Sequence, residues 1–405
     1  MTRDQLDPWS SWSRVNYDAC MRIMHISTRL ILGGSQENTI LSCEGQADAG
    51  NEVSLVYGPI YGPEGSLRDR VASHGGIDLI ETPNLVRHLA PLQDYRCYRD
   101  LKRLIRFWKP DVVHTHSSKA GIIGRAAAWN LSVPCVVHTI HGLPFHPYEK
   151  AWRNTLYVAS ERWAAKRCHK IACVADAMRD QSLAKGIGKQ KQFSTIYSGM
   201  EVDRYLSPQR DGDAMRQELG IDKDDFVVGT VSRLAEHKGH DDVLDALGEV
   251  LRNSPKLKLL WVGDGWWRER LEQRIREMGI EKQVIFTGLV QPETIANYIA
   301  VMDVLVHPSY REGLPRTVVQ AMLGAKPVIA NDVDGTREVC ISGKTGYLID
   351  VGDHEALRVA VLELQANPDK RMNLGNEGRA FCKEQFAADK MVQELDKLYR
   401  EVLVR

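Results

Sequence analysis

Residues 305–338, LVHPSYREGLPRTVVQAMLGAKPVIANDVDGTRE, constrain the fold more tightly than any other stretch. The apolar run at 304–306 reads as a buried strand, which Pro308 and Ser309 break. Glu312, Gly313 and Leu314 form a tight loop after it. Pro315 stands where the first helical residue belongs, a position that tolerates proline because its N–H would have no helical partner. Val318, Val319, Met322 and Leu323 share one side of the helix, and Gly324 ends it. A second buried strand, 327–330, follows at once. In an open parallel sheet this order puts the loop and the helix N-terminus at the carboxyl ends of the strands. Ligands bind in that crevice, and the partial positive charge of a helix end favours phosphate.

The same unit recurs along the chain. Strands are expected at 21–27, 52–57, 76–81, 111–116, 134–140, 170–174 and 193–197, with helical stretches between them. A second series runs through 226–231, 257–262, 284–287, 304–306 and 327–330. At 405 residues the chain suits two such α/β domains rather than one core. The polar stretch 205–224, with Pro208 and Gly212, reads as the boundary. The expected division is therefore 21–202, a first Rossmann-like domain, and 203–385, a second. Helix 386–405 would cross back to the first domain. Residues 1–20 have no periodicity and read as a flexible extension, and Met21 is a second candidate for the start of the chain.

Composition narrows the function. Fifty-three basic and 53 acidic residues cancel, so no global field favours nucleic acid. The eight cysteines contain no C-x-x-C pair and read as free thiols of a reducing compartment. No run approaches the roughly 18 apolar residues of a membrane span, and the N-terminus lacks a signal peptide's apolar core. A cytoplasmic protein is expected.

Several clusters carry chemistry. Gly33-Gly34 sits at a strand-to-helix turn, where backbone N–H groups can approach a ligand closely. Arg233, at the end of one strand, and Lys238, at the start of the next helix, make a sensible diphosphate clamp: a planar fork and a mobile point charge. His114, His116, His138, His141 and His146 gather at or near strand ends. They admit three readings: an H-x-H metal site, a structural cluster, or one wall of an interdomain cleft. Gly263-Asp264-Gly265 is half of a dinucleotide fingerprint, with Arg268 in place of the third glycine. Asp332-Val333-Asp334 reads as a loop rather than a metal motif, and Gly335-Thr336 as another turn with donors for phosphate. The helix at 94–109 carries Leu101, Leu104, Ile105 and Trp108 on one side and six cations on the rest. It is either a surface helix packed on the sheet or a basic, aromatic-bearing face for anionic lipid or a polyanionic acceptor.

The run from Glu312 to 329 resembles the sugar-nucleotide signature of GT-B glycosyltransferases, in particular the retaining family GT4. That signature has a Glu, a Gly-Leu-Pro-like turn, a second Glu eight residues on, then Gly and a Pro-Val-Ile strand. Glu312, Gly313, Leu314 and Pro315 match, whereas Gln320 replaces the second Glu. The Ser-Arg-Leu…Lys-Gly run at 232–239, the Thr139-Ile140-His141-Gly142 strand end, the Gly33-Gly34 turn and the Ser198-Gly199-Met200-Glu201 linker match further family motifs, so the resemblance covers nearly all of 21–400.

The resemblance implies a GT-B fold, two doubly wound Rossmann-like domains facing across a deep cleft. It implies transfer of a hexosyl unit from a nucleotide diphosphate sugar, UDP on family frequency, with retention and without a metal ion or other cofactor. Arg233, Lys238, Gly33, Gly34, Gly313, Leu314, Pro315 and Gln320 would hold the donor. Glu312 and His141 would be the catalytic residues, one on the sugar hydroxyls and one near the reacting carbon. Reaction on a single face, with the donor phosphate taking the acceptor proton, needs no protein nucleophile. The acceptor would be a saccharide or a lipid-linked saccharide of polysaccharide or lipopolysaccharide synthesis, with His116 and Lys119 on its side. Contact through 94–109 would place the protein peripherally on the inner face of the cytoplasmic membrane. Two alternatives stand beside this one: a sugar-nucleotide-binding protein of weak activity, which Gln320 favours, and an NAD-dependent oxidoreductase, which Arg268 argues against.

Overall fold

A computed structural model describes residues 20–60 and 65–404, so the extension expected at 1–20 lies, but for Cys20, outside the described residues. The first sheet contains β1 (Arg22–Ser27), β2 (Glu52–Tyr57), β3 (Ile77–Glu81), β4 (Val112–His116), β5 (Cys135–Ile140), β6 (Lys170–Cys173) and β7 (Phe193–Thr195). The second contains β8 (Phe226–Val231), β9 (Leu257–Val262), β10 (Val284–Phe286), β11 (Val304–His307), β12 (Val328–Asn331) and β13 (Gly346–Ile349). The spatial orders are β3-β2-β1-β4-β5-β6-β7 and β10-β9-β8-β11-β12-β13, every pairing parallel. Both are doubly wound, with switch points between β1 and β4 and between β8 and β11.

Parallel strands covered on both faces must be apolar along their whole length. β8, β9 and β12 mostly obey this, with Val228, Leu259, Leu260 and Ile329 completely buried and only Thr230, Lys258 and Asn331 polar. β1 and β4 depart from it, because His25, His114 and His116 are buried among their apolar neighbours. All eight cysteines are free and seven are buried. β13 is absent from the sequence reading because four residues after a Gly-Lys-Thr turn show no usable period. The stretch 205–224 is not wholly irregular either. It holds the end of a short helix, Val202–Leu206, and a second, Gly212–Glu218, whose Asp211 caps Ala214 N–H.

The chain leaves the first half at Met200 and returns at Ala387. Met200 N–H donates to the Phe386 carbonyl at 2.8 Å, and Ala388 N–H to the Met200 carbonyl at 3.0 Å, so outgoing and returning strands are stitched together. The last helix, Ala388–Leu403, lies on the first sheet, burying Met391, Leu395, Leu398 and Tyr399 against Ile23, Leu41 and Val137.

Across the cleft, Arg316 pairs with Glu37 at 2.9 Å and donates to the Gly199 carbonyl at 2.7 Å. A Cβ on Gly34 would lie 2.7 Å from Arg316 Cδ, so this glycine makes room for the bridge. Glu338 accepts from the N–H groups of Asp176 and Ala177 at 2.7 and 2.8 Å, capping helix Asp176–Ala184 from the opposite domain.

Candidate active site

The two switch points face one another across a cleft of about 1280 Å³, room for a ligand larger than most small metabolites. On the second-domain side, the loops after β8 and β11 are pressed together. Gly239 has φ 68°, and a Cβ there would lie 2.0 Å from the Pro308 carbonyl oxygen, so only glycine fits. That contact sets Lys238 Nζ 2.5 Å from Glu312 Oε1, while His307 Nε2 lies 3.0 Å from the same oxygen. Glu312 N–H donates to Asp334 at 2.7 Å, which holds the loop. Burial alone would raise the Glu312 carboxyl, but the Lys238 charge and the His307 hydrogen bond outweigh it and hold it well below the usual carboxylate range. Glu312 is thus ionised at any working pH. Arg233 also lines the cleft, its guanidinium 5.7 Å from the centroid of Trp266.

The helix Arg316–Leu323 follows the Glu312 loop and lines the same cleft. Pro315 is its cap rather than its first residue. Gln320 is 3 % exposed and lines the cleft, and its Oε1 finds no hydrogen-bond partner among the described residues. A buried carbonyl oxygen left in that state costs about 1–3 kcal/mol, which a ligand hydroxyl would relieve. Val290, Pro292 and Ile295 provide an apolar lining nearby.

The facing wall carries Gly33, Gly34 and His141. Gly313 lies so close to the His141 carbonyl that a Cβ would come within 1.9 Å, so the Glu312 loop and this strand end meet backbone to backbone. His141 is held down to about 3 by burial, with Arg316 adding to the effect, and it is therefore neutral. Leu314 and Pro315 also line the cleft.

Three expectations need correction. His116 and Lys119 do not line the cleft: His116 is buried behind His141, with ring nitrogens on His25 and His141. Lys119 is committed to Asp94 at 2.5 Å and to the His88 carbonyl. Gly335-Thr336 meets no ligand space, because Gly335 packs on the Gly313 carbonyl and on Ala175, and Thr336 is fully buried. His146 is not part of the histidine cluster; its ring approaches Tyr148 instead. Asp332 pairs with Arg337 and Asp334 accepts from Glu312 and Gln181, so both carboxylates are used as loop fasteners. Gly263 and Gly265 are needed for the loops after β8 and β9 to touch: a Cβ on either would meet the Ser232 or Leu234 carbonyl at 2.2 Å.

Sequence reasoning missed His307, Arg316, Glu37 and His25. A histidine inside or closing an apolar strand was the available signal for His25 and His307. None existed for Arg316 and Glu37, which are 279 residues apart.

Residues 211–381 match the model of glycosyl transferases group 1, and residues 33–193 that of a glycosyl transferase 4-like domain. An Escherichia coli UDP-Gal:alpha-D-GlcNAc-diphosphoundecaprenol alpha-1,3-galactosyltransferase is 26% identical over 95% of this chain and 98% of its own. A GDP-mannose-dependent alpha-(1-6)-phosphatidylinositol monomannoside mannosyltransferase from Mycolicibacterium smegmatis is 31% identical over 58% of this chain and 64% of its own. Among solved structures, Anabaena HepE in complex with UDP and glucose superposes with a TM-score of 0.80 at 22% identity, over 93% of this chain and 99% of that one.

Proposed function

The chain belongs to the group 1, GT4-type glycosyltransferases of GT-B fold, and from that premise we propose that it transfers a hexosyl unit from UDP-sugar, with retention of configuration and no metal ion, to a saccharide or lipid-linked saccharide. The observation that carries this reading is that a buried, ionised Glu312 paired with Lys238 lines the same cleft as the unpartnered Gln320 oxygen. Arg233 and Lys238 receive the diphosphate, whose charge grows as the glycosidic bond breaks. Preorganised cations in the cleft lower that barrier without reorganising. Glu312 then accepts from the sugar hydroxyls, Gln320 accepts from a ribose hydroxyl, and His141 approaches the reacting carbon from the other wall. The donor phosphate takes the acceptor proton, so both bonds change on one face. UDP is preferred because two of the relatives' names and complexes, the galactosyltransferase and HepE, carry it, although the mannosyltransferase uses GDP.

The acceptor reading draws on the same names and on a surface. No helix among the described residues is long and apolar enough to cross a membrane. Helix Pro91–Trp108, however, exposes Leu92, Tyr95 and Phe107 among Arg99, Arg103 and Arg106, a mixture suited to an anionic lipid surface. Changing Arg99, Lys102, Arg103 and Arg106 to Ser should abolish binding to vesicles containing anionic lipid; unchanged binding removes the membrane reading.

The deciding experiment is a thermal-shift and hydrolysis screen across UDP-, GDP- and ADP-sugars with Glu312→Ala as control. Stabilisation by one nucleotide, with sugar release that the substitution abolishes, is the expected result. Stabilisation without release, even with acceptors added, favours the binding protein instead. NAD added to the same thermal-shift screen should not stabilise the protein; stabilisation by NAD alone overturns both.

A further inference from the structure

The buried histidines behind the cleft form one continuous hydrogen-bonded chain. His141 Nε2 lies 3.0 Å from His116 Nδ1. His116 Nε2 lies 2.9 Å from His25 Nδ1, and His25 Nε2 lies 2.7 Å from Gln46 Oε1. Gln46 Nε2 donates to the Tyr399 hydroxyl at 3.2 Å, which sits 2.5 Å from His114 Nδ1. His114 Nε2 ends the chain on Thr139 Oγ1 at 2.6 Å. His25, His114 and His116 are near enough to share a cation. All six of their ring nitrogens already have protein partners, however, and the 2.9 Å separation of His25 from His116 is that of a hydrogen bond. A cation would have to break several of these bonds at once.

The direction of the chain follows from its anchor. An amide oxygen can only accept, so His25 donates to Gln46 from Nε2 and must accept at Nδ1. His116 therefore donates from Nε2 and accepts at Nδ1, and His141 donates from Nε2. A neutral imidazole carries one such proton, so Nδ1 of His141, the nitrogen outside the chain, is an acceptor. Burial holds His25 down to about 4 and also lowers His116 well below its ordinary value, which keeps the rings neutral. Turning the Gln46 amide over would reverse every bond, and His141 would then offer N–H in place of a lone pair. Gln46 is 1 % exposed, and Tyr399, on the returning helix, takes its NH₂.

We propose that Gln46 is a positioning residue: through His25 and His116 it fixes the proton of His141 on Nε2, so that His141 meets the donor sugar as a hydrogen-bond acceptor for a hydroxyl. The transferase reading enters only in what His141 meets; the proton order belongs to the fold itself. Second-shell partners set imidazole tautomers in this way.

The test is nitrogen NMR on protein labelled with 15N-histidine. The wild type should show His25, His116 and His141 as neutral Nε2–H tautomers from about pH 5 to 8. In Gln46→Leu, His141 should lose that single tautomer, and kcat should fall about tenfold with donor KM nearly unchanged. Gln46→Glu, whose carboxylate also accepts, should restore the tautomer. A wild-type spectrum with His141 protonated on Nδ1 overturns the proposal, as does a Gln46→Leu protein that keeps both tautomer and kcat. Zn²⁺ moving the His25, His114 and His116 resonances together also overturns it and makes the cluster a metal site. The wild-type spectrum needs no substrate and no variant. Failure of every nucleotide sugar to turn over would therefore defeat the transferase reading and leave the tautomer result standing.

Discussion

The two halves share one strand order and spend their polar residues differently. In the second half, β8 and β11 are apolar but for Thr230 and the closing His307, and the ionised groups wait in the loops beyond: Lys238 and Glu312. In the first half, imidazoles stand inside β1 and β4 and just beyond β5, and link to one another and to Gln46 and Tyr399. One half is an apolar core with charges at its rim. The other runs a network of neutral imidazoles through its core, beside one buried ion pair of Arg125 with Glu161. The difference matches the work proposed for each wall: a leaving diphosphate calls for full charges, whereas a sugar hydroxyl calls for a directed, uncharged hydrogen bond.

The comparison breaks most easily at Lys238. Lys238→Ala removes the charge that faces Glu312 and, in the proposed reaction, the diphosphate, and kcat/KM should fall about 10²–10³-fold in a transfer assay. The orphaned Glu312 should also lower stability by roughly 3–5 kcal/mol in urea unfolding. An active, stable variant would mean that charge is not what distinguishes this half.

Acid separates the halves next. His25 is held down to about 4 and His141 to about 3 from an ordinary 6.5, with burial the main cause, and His114, His116 and His138 are also lowered. The unfolded chain takes these protons first. The stability is therefore complete above 6.5 and is lost as pH falls toward the folded values, by roughly 1.4 kcal/mol per pH unit for each ring. The second half has His237 and His240 lowered in the same sense, to about 4 and about 3. Hydrogen exchange at pH 5 should open β1, β4 and β5 before β8 and β11; simultaneous opening would erase the contrast.

The smallest effect sharpens the second half. Gln320→Glu adds the carboxylate that the GT4 signature usually has, and UDP affinity measured by calorimetry should rise about tenfold through a charge-assisted bond. No gain would mean that Gln320 does not face the ribose.

How legible each half was follows from the distance between partners. β8 and β9 announce themselves as largely apolar runs, interrupted only by Thr230 and Lys258, and Glu312 and Lys238 belong to short motifs whose spacing survives in one dimension. The seven strands of the first sheet were likewise readable. What stayed hidden depends on chain that is far away or on segments too short to show a period. β13 has four residues. The histidines were visible as a group, but their order was not, because Gln46 and Tyr399 lie on helices whose docking no local pattern records.

The returning helix makes the second domain, in effect, an insertion within the first. His114 and Tyr399 are separated by 285 residues. At about 5–20 residues per second, a ribosome needs roughly 15–60 s to deliver the hydroxyl after the ring. The second domain can be finished in that interval, while the first still exposes the groove that Ala388–Leu403 will fill. The nascent first domain is thus the one that calls for chaperone protection during synthesis, although its sheet emerged first.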